Sequence, residues 1–160
     1  MKNKFIIVLL FIVLLLIILA AFIVSNYYIN YLNELGVCYT YDETVENIGK
    51  PINSSIEQDD GATQYTVAVF EHCTVTFWND EQGYPGMSVK TEVLDETVRF
   101  GIFGFGIGTK RNILEFAYVF APKIKDVLPN EYGIILNDQW TYFEFDEGNK
   151  VSKVVITDGV

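Results

Sequence analysis

The stretch Tyr132–Asp158, YGIILNDQWTYFEFDEGNKVSKVVITD, decides the fold predicted for this chain. β-Branched and aromatic residues dominate three runs within it, Ile134–Leu136, Trp140–Phe145 and Val151–Ile156. Asn, Asp and Gly residues separate the runs, which is the usual signal for antiparallel strands joined by short turns. The stretch therefore predicts a three-stranded antiparallel unit.

A second copy of this unit is predicted upstream. Residues Tyr65–Asp80 align without a gap on Tyr132–Glu147, at a separation of 67 positions. The identical pairs are Tyr65/Tyr132 and Thr74/Thr141, and the apolar pairs are Val67/Ile134, Val69/Leu136 and Trp78/Phe145. Similarity at a fixed separation indicates a duplicated supersecondary unit.

A short helix is predicted before each set of strands. Thr40 and Glu43 have the spacing of a capping box, and the first helix should stop at Gly49-Lys50-Pro51. The second helix should cover about Lys110 to Phe120, with apolar residues along one stripe. The polar stretch between the first helix and the strands, Ile52 to Thr63, is predicted to be a loop.

The N-terminal region carries an uncharged apolar run, Phe5–Val24, which as a helix would be about 30 Å long, the thickness of a bilayer core. Lys2 and Lys4 precede the run, and no further Lys or Arg appears until Lys50. This asymmetry predicts a single-pass anchor with a cytoplasmic N-terminus and an extracytoplasmic C-terminal domain. The alternative is a cleaved signal peptide, whose apolar region is typically shorter.

The predicted fold class is therefore α+β, in which an N-terminal transmembrane helix precedes a tandem α-β-β-β repeat. The repeats would form an antiparallel sheet with the helices packed on one face. Residues 1–35 would hold the cytoplasmic tip, the transmembrane helix and a stalk. Residues 36–160 would form the extracytoplasmic domain, with repeat one at about 36–98 and repeat two at about 99–160.

The charge balance is acidic, with 21 Asp and Glu residues against 11 Lys and Arg and a net charge of −10. Nucleic-acid binding is disfavoured because phosphates require a basic surface. The acidic balance fits either a solvated acidic surface or a basic protein partner.

Three stretches suggest a nucleotide or metal site, but their residues do not have the order or spacing that such a site requires. The stretch Phe100–Lys110, FGIFGFGIGTK, has neither the residue order of a P-loop nor a glycine at position 109 for a dinucleotide fingerprint. His72, the only histidine, stands between Glu71 and Cys73, but a metal site needs three or four converging ligands and adjacent strand residues point to opposite faces. The segments around Asp146–Asn149 and Asn79–Glu81 resemble calcium loops in composition but lack their spacing, and are more simply turns. No catalytic, cofactor-binding or metal-binding residue is predicted, and the chain is predicted not to be an enzyme.

Cys38 and Cys73 are the only cysteines. Cys38 comes just before the first helix and Cys73 lies in a strand that this helix should cover. A disulfide between them is predicted for a domain outside the cytoplasm. The alternative is a pair of buried free thiols.

The part from Gly106 to Ile156 carries a resemblance to a known fold. Gly106-Ile107-Gly108-Thr109 opens the second helix, and Trp140-Thr141-Tyr142-Phe143-Glu144-Phe145-Asp146 forms the strand. With the tandem duplication, this resembles the β-lactamase-inhibitor-protein-like fold, of which the small SmpA/OmlA lipoproteins have a related single unit. Members of that fold are mostly binding modules, so the resemblance implies architecture and says little about the partner.

One sheet face is the candidate binding surface. Along the strand, Trp140, Tyr142 and Glu144 alternate with Thr141, Phe143 and Phe145. If Phe143 and Phe145 face the helix, Trp140 and Tyr142 lie on the open face as anchors for a protein partner, with Glu144 supplying charge toward a basic patch. The alternative is that both aromatics pack against the first copy.

The predicted function is a non-enzymatic, membrane-anchored, extracytoplasmic module that binds a protein of unknown identity, as inhibitor and immunity proteins do. The alternatives are a small cell-envelope hydrolase that uses surface carboxylates and an envelope-assembly factor.

Overall fold

The computed structural model describes residues 2–32, 35–59, 61, 63–100, 105–119, 121–136 and 138–159, with side chains omitted at 2–5, 22–32, 99 and 100. The helices are α1 (Lys2–Leu32), α2 (Tyr41–Ile48) and α3 (Arg111–Ala117). The strands are β1 (Asn53–Gln58), β2 (Gln64–Val69), β3 (Cys73–Asn79), β4 (Pro85–Val93), β5 (Arg99–Phe100), β6 (Phe105–Gly106), β7 (Glu131–Leu136), β8 (Gln139–Phe145) and β9 (Val151–Thr157).

Seven strands form one antiparallel sheet in the order β1-β2-β3-β4-β9-β8-β7, and β5 pairs with β6 separately. We call residues 35–93 half one and residues 105–157 half two. The halves meet where β4 pairs with β9, from Lys90 opposite Thr157 to Val93 opposite Val154. The sheet is therefore continuous across the two halves.

The helices α2 and α3 lie on the same face of this sheet. Tyr41 of α2 meets Phe77 edge-on with ring centroids 5.2 Å apart, and Tyr118, just after α3, lies 5.7 Å from the ring of Phe143. Leu114 of α3 is also fully buried. This face holds the hydrophobic core, and the opposite face of the sheet is free of α2 and α3.

The predicted capping box at the start of α2 is confirmed. The Thr40 hydroxyl accepts a hydrogen bond from the Glu43 amide at 3.3 Å, and the Glu43 carboxylate accepts one from the Thr40 amide at 2.8 Å. These bonds to Thr40 lower the pKa of Glu43. The second helix is shorter than predicted, since α3 ends at Ala117, and Phe120 lies outside the described residues.

The repeat separation is 66 positions in the hairpins, one fewer than the alignment predicts. Tyr65 pairs with Trp78, and the residues 66 positions later, Glu131 and Glu144, pair in the same way. A one-residue slip moves every side chain of a strand to the opposite face. The predicted match of Trp78 with Phe145 is therefore wrong, because Trp78 is exposed and Phe145 is buried.

The stretch Ile52 to Thr63, predicted to be a loop, contains the edge strand β1. All six residues of β1 are exposed, so its polar sequence reflects an edge that contributes nothing to the core. The opposite edge of the sheet, β7, is bordered by residues 122–124. The Ile124 amide donates a hydrogen bond to the Gly133 carbonyl, and the Ile135 amide donates one to the Pro122 carbonyl.

The predicted N-terminal membrane anchor is wrong. Within the part of the chain that the structure describes, no helix is long and apolar enough to cross a membrane. The predicted fold class is corrected in this respect, together with the single-pass location that followed from it. Lys2 and Lys4, on which the orientation rested, are outside the described side chains.

Candidate functional site

The alternation predicted along β8 is confirmed. Thr141, Phe143 and Phe145 are buried on the helix side, whereas Trp140 and Tyr142 are half-buried on the other side. Because β8 is hydrogen-bonded on both sides, by β7 and β9, its side chains have only these two directions. Trp140 and Tyr142 therefore lie on the helix-free face of the sheet.

Trp140 is held in place by its neighbours on this face. Its ring centroid lies 6.4 Å from that of Tyr142, with the planes at 58°. Gly159 passes so close that a Cβ added there would lie 2.6 Å from the indole Nε1, and its φ of +79° favours glycine as well. The indole is therefore fixed by both a ring contact and a close backbone.

Half one supplies two further aromatic residues to the same face. Tyr65 and Trp78 are direct cross-strand partners on β2 and β3, and the Trp78 side chain is 58% exposed. A register shift between β3 and β4 occurs after Thr76, so that Val89 has no partner of its own and joins this face.

These residues line one groove of about 640 Å³ that crosses the junction of the two halves. We call it the aromatic groove; its lining is Thr63, Tyr65, Trp78, Val89, Trp140, Tyr142, Thr157 and Asp158. The four large rings present flat apolar surfaces beside polar atoms. Aromatic rings exposed in this way can bury a large apolar area against a ligand.

The groove contains two residues that sequence reasoning missed, Tyr65 and Trp78. The alignment at 67 positions placed Trp78 opposite a core residue. The dipeptide Asp80-Glu81, which recurs as Asp146-Glu147 at 66 positions, is the signal that could have corrected it.

Glu144 lies on the same face, but its charge is compensated within the protein. Its carboxylate is 2.7 Å from the Lys153 ammonium, which is also 3.5 Å from Glu92. The hydrogen bond to Glu144 is the main reason that the pKa of Lys153 is raised. The predicted role of Glu144 toward a basic partner patch would require this ion pair to be broken.

A second hollow, of about 690 Å³, adjoins the aromatic groove and shares Thr63 and Trp78 with it. We call it the acidic hollow because Asp80 and Glu81 line it; the other lining residues are Gly61, Gln64, Asn79, Gly86 and Met87. Trp78 therefore stands between the two hollows.

The turn at Asp80 is rigidly built. The Asp80 Oδ1 atom accepts hydrogen bonds from the amides of Gln82 and Tyr84, both at 2.9 Å. Asp146 makes the same two bonds to Gly148 and Lys150 at 2.9 Å. The interpretation of these segments as turns is confirmed. Within the described residues, no group of three or more His, Cys, Asp or Glu is placed to hold a metal ion.

The two cysteines are free thiols, Cys38 exposed and Cys73 buried, so the predicted bridge between them is not formed in this structure. Burial raises the pKa of the Cys73 thiol to about 11. Cys38 takes a φ of 71°, and Gly108 occupies the corresponding place before α3 with a φ of 87°. The backbone amide of Cys38 donates a hydrogen bond to the Ser88 carbonyl, and the amide of Gly108 donates one to the Val151 carbonyl. Cys38 and Gly108 are therefore at equivalent positions.

His72 lies against Asp95. Its Nδ1 atom is 2.7 Å from the Asp95 carboxylate, and this hydrogen bond is the main reason that the pKa of His72 is raised.

The glycine-rich stretch is described in part. Residues 101–104 lie outside the described residues, and Gly106 to Gly108 lead into α3.

Two solved structures resemble this chain. An extracellular protein containing a SCP domain from Bacillus anthracis str. Ames has a TM-score of 0.53 and 17% identity, over 79% of this chain and 45% of that protein. A DUF4309 family protein (YjgB) from Bacillus subtilis has a TM-score of 0.42 and 9% identity, over 84% of this chain and 95% of that protein. The first likeness shows a shared fold and no function, and the second is too weak to support a conclusion.

No protein-family model matches the chain, and no curated protein matches it. This chain spans less than half of the SCP-domain protein. Neither solved structure is described as a β-lactamase-inhibitor protein or a SmpA/OmlA lipoprotein, so that resemblance stays a prediction.

Proposed function

We propose that this chain is a protein-binding module whose aromatic groove takes up an extended segment of a partner protein. The observation that carries the proposal is the gathering of Tyr65, Trp78, Trp140 and Tyr142 from both halves into one groove on the helix-free face. Tryptophan and tyrosine are among the residues that most often dominate binding energy at protein interfaces.

The groove is largely formed before a partner arrives. Trp140 is already in contact with Tyr142 and the backbone of Gly159, so it loses little side-chain freedom on binding. Fixing a side chain in advance improves affinity, since immobilising a free one costs about 0.5–1.5 kcal/mol. Trp78, at 58% exposure, offers the largest free surface of the four rings to a ligand.

The test is a selection of displayed dodecapeptides on the full chain, followed by calorimetry with the enriched peptides. Trp140→Ala should weaken their binding by at least about thirtyfold, the equivalent of ~2 kcal/mol for a binding hot spot. Val69→Ser is the matched control, because Val69 lies on the same face at 39% exposure but does not line the groove.

Thermal melts of the same variants separate binding from folding. Should Trp140→Ala lower stability markedly, Trp78→Ala gives the same test with an exposed side chain. Peptides that bind both tryptophan variants as tightly as Val69→Ser would show that the groove is not the binding surface.

A further inference from the structure

We infer that the partner segment presents an arginine or lysine side chain, which lies on the Trp78 indole and reaches the carboxylates of Asp80 and Glu81. This inference rests on the proposed function and adds the chemistry that the groove selects. It moves the electrostatic contact from Glu144, which the sequence favoured, to the acidic hollow.

Trp78 is placed to receive a cation. Its side chain is 58% exposed and forms part of the wall of both hollows. A cation over the face of a tryptophan ring is attracted by the negative charge of the π-system, and tryptophan is the best ring for this contact. Arginine can also stack its planar guanidinium on the indole.

The carboxylates of Asp80 and Glu81, beside Trp78, are available to pair with a cation. Among the ion pairs of the described residues, none involves Asp80 or Glu81, whereas Glu92, Asp95, Glu115 and Glu144 are all paired. The backbone amides of Gln82 and Tyr84 both donate hydrogen bonds to the Oδ1 atom of Asp80, and these bonds fix the carboxylate in position. A carboxylate held in advance favours a cationic group without a further ordering cost.

The surroundings are also negative. The chain has a net charge of −10, and Asp158 lines the groove on the side of half two. Lys90 lies on this sheet face at the junction, where it pairs with Thr157, and its ammonium is 3.7 Å from the Glu92 carboxylate. The groove and the acidic hollow therefore favour a cationic ligand over a neutral or anionic one.

The experiment uses Nα-acetyl-arginine amide as the probe and Nα-acetyl-citrulline amide, its neutral analogue of the same shape, as the control. The chain has two tryptophans, so the two indole N–H signals in an NMR spectrum can be assigned with Trp78→Phe. The arginine probe should shift the Trp78 signal saturably, and the citrulline probe should bind at least about fivefold more weakly. Added salt should weaken the arginine response, because exposed charges are screened.

The matched variants are Asp80→Asn/Glu81→Gln and Asp146→Asn/Glu147→Gln. Both remove the same charge from the same kind of turn, and Asp146 lies in a different hollow. The first double variant should bind the arginine probe about fivefold more weakly, a loss within the range measured for exposed charge pairs. The second double variant should bind the probe as tightly as the unchanged protein.

Equal binding of the two probes, or equal losses in the two double variants, would overturn the inference while the peptide selection still supports the groove. Conversely, an arginine response at Trp78 with peptides insensitive to Trp140→Ala would overturn the proposed function alone.

Discussion

Half one and half two share a backbone frame and fill it differently. The turns at Asp80 and Asp146 make identical hydrogen bonds, and Phe77 and Phe143 occupy equivalent, fully buried places. The frame is thus specified by a few turn and core positions in each half. The remaining positions are free to diverge, and it is among them that the groove residues lie.

One core position shows the divergence clearly. Phe145 in half two is covered by the Arg111 guanidinium at 4.9 Å from its ring centroid. The equivalent residue in half one is Asn79, buried at 5% exposure, whose Oδ1 accepts the Thr66 hydroxyl at 2.8 Å while its Nδ2 has no partner among the described residues. A buried donor without a partner costs stability, so half one has the less satisfied core.

The strongest test of the shared frame is truncation of its two central rings. Phe77→Ala and Phe143→Ala should each lower the free energy of unfolding by about 3–5 kcal/mol, because each leaves a cavity in a fully buried place. Chemical denaturation of the two variants measures this. A much smaller loss of unfolding free energy for one variant than for the other would mean that the two rings do not contribute equally to the stability of the core. Trp78→Ala, on the open face, is the control and should change the free energy little.

The next test exchanges a residue between the halves. Gly133 corresponds to Val67 at 66 positions, but an added Cβ at Gly133 would lie 2.9 Å from Val127 and 3.0 Å from Ile124. Gly133→Val should therefore cost about 1–3 kcal/mol through overpacking, measured by denaturation.

Val67→Ala is the matched control, because Val67 is the equivalent residue of half one and is only half-buried. If Gly133→Val proved no more damaging than Val67→Ala, Ile124 and Val127 could not lie as close to Gly133 as these distances require.

The smallest effect concerns the ion pair between His72, in the turn between β2 and β3, and Asp95, just after β4. Hydrogen bonding to Asp95 raises the pKa of His72, and the bonds from His72 and Thr97 lower that of Asp95 to about 2. The contribution of His72 to stability should be complete below its ordinary pKa of about 6.5 and be lost as the pH rises through its higher folded value. NMR titration of this single histidine should show the raised pKa, and Asp95→Asn should return it toward the ordinary value. An identical pKa of His72 in both proteins would show that His72 and Asp95 do not form this ion pair.

The sequence was informative where burial alternates and misleading where two large apolar residues are adjacent. The alternation from Trp140 to Phe145 follows directly from a half-buried strand. Phe77 and Trp78 stand side by side, and the identities at Tyr65 and Thr74 favoured an alignment one residue out of register. Composition alone could not decide which of the two rings enters the core.

Two other features could not be read from local sequence. The edge strand β1 has a polar sequence, NSSIEQ, and forms because β2 offers a hydrogen-bonding edge. The pairing of Glu144 with Lys153 depends on which strands are neighbours, and the same holds for the groove itself. Such features arise from contacts between segments that are distant in the chain.

The β4–β9 junction determines when the aromatic groove forms during folding. Each hairpin closes over a few residues, whereas Lys90 and Thr157 pair across most of the domain, a long-range contact that is slow to form. Trp78 and Trp140 lie on opposite sides of that junction. A chain with both hairpins complete but the junction open would have stable secondary structure and no groove, so ligand capture would report the final folding step.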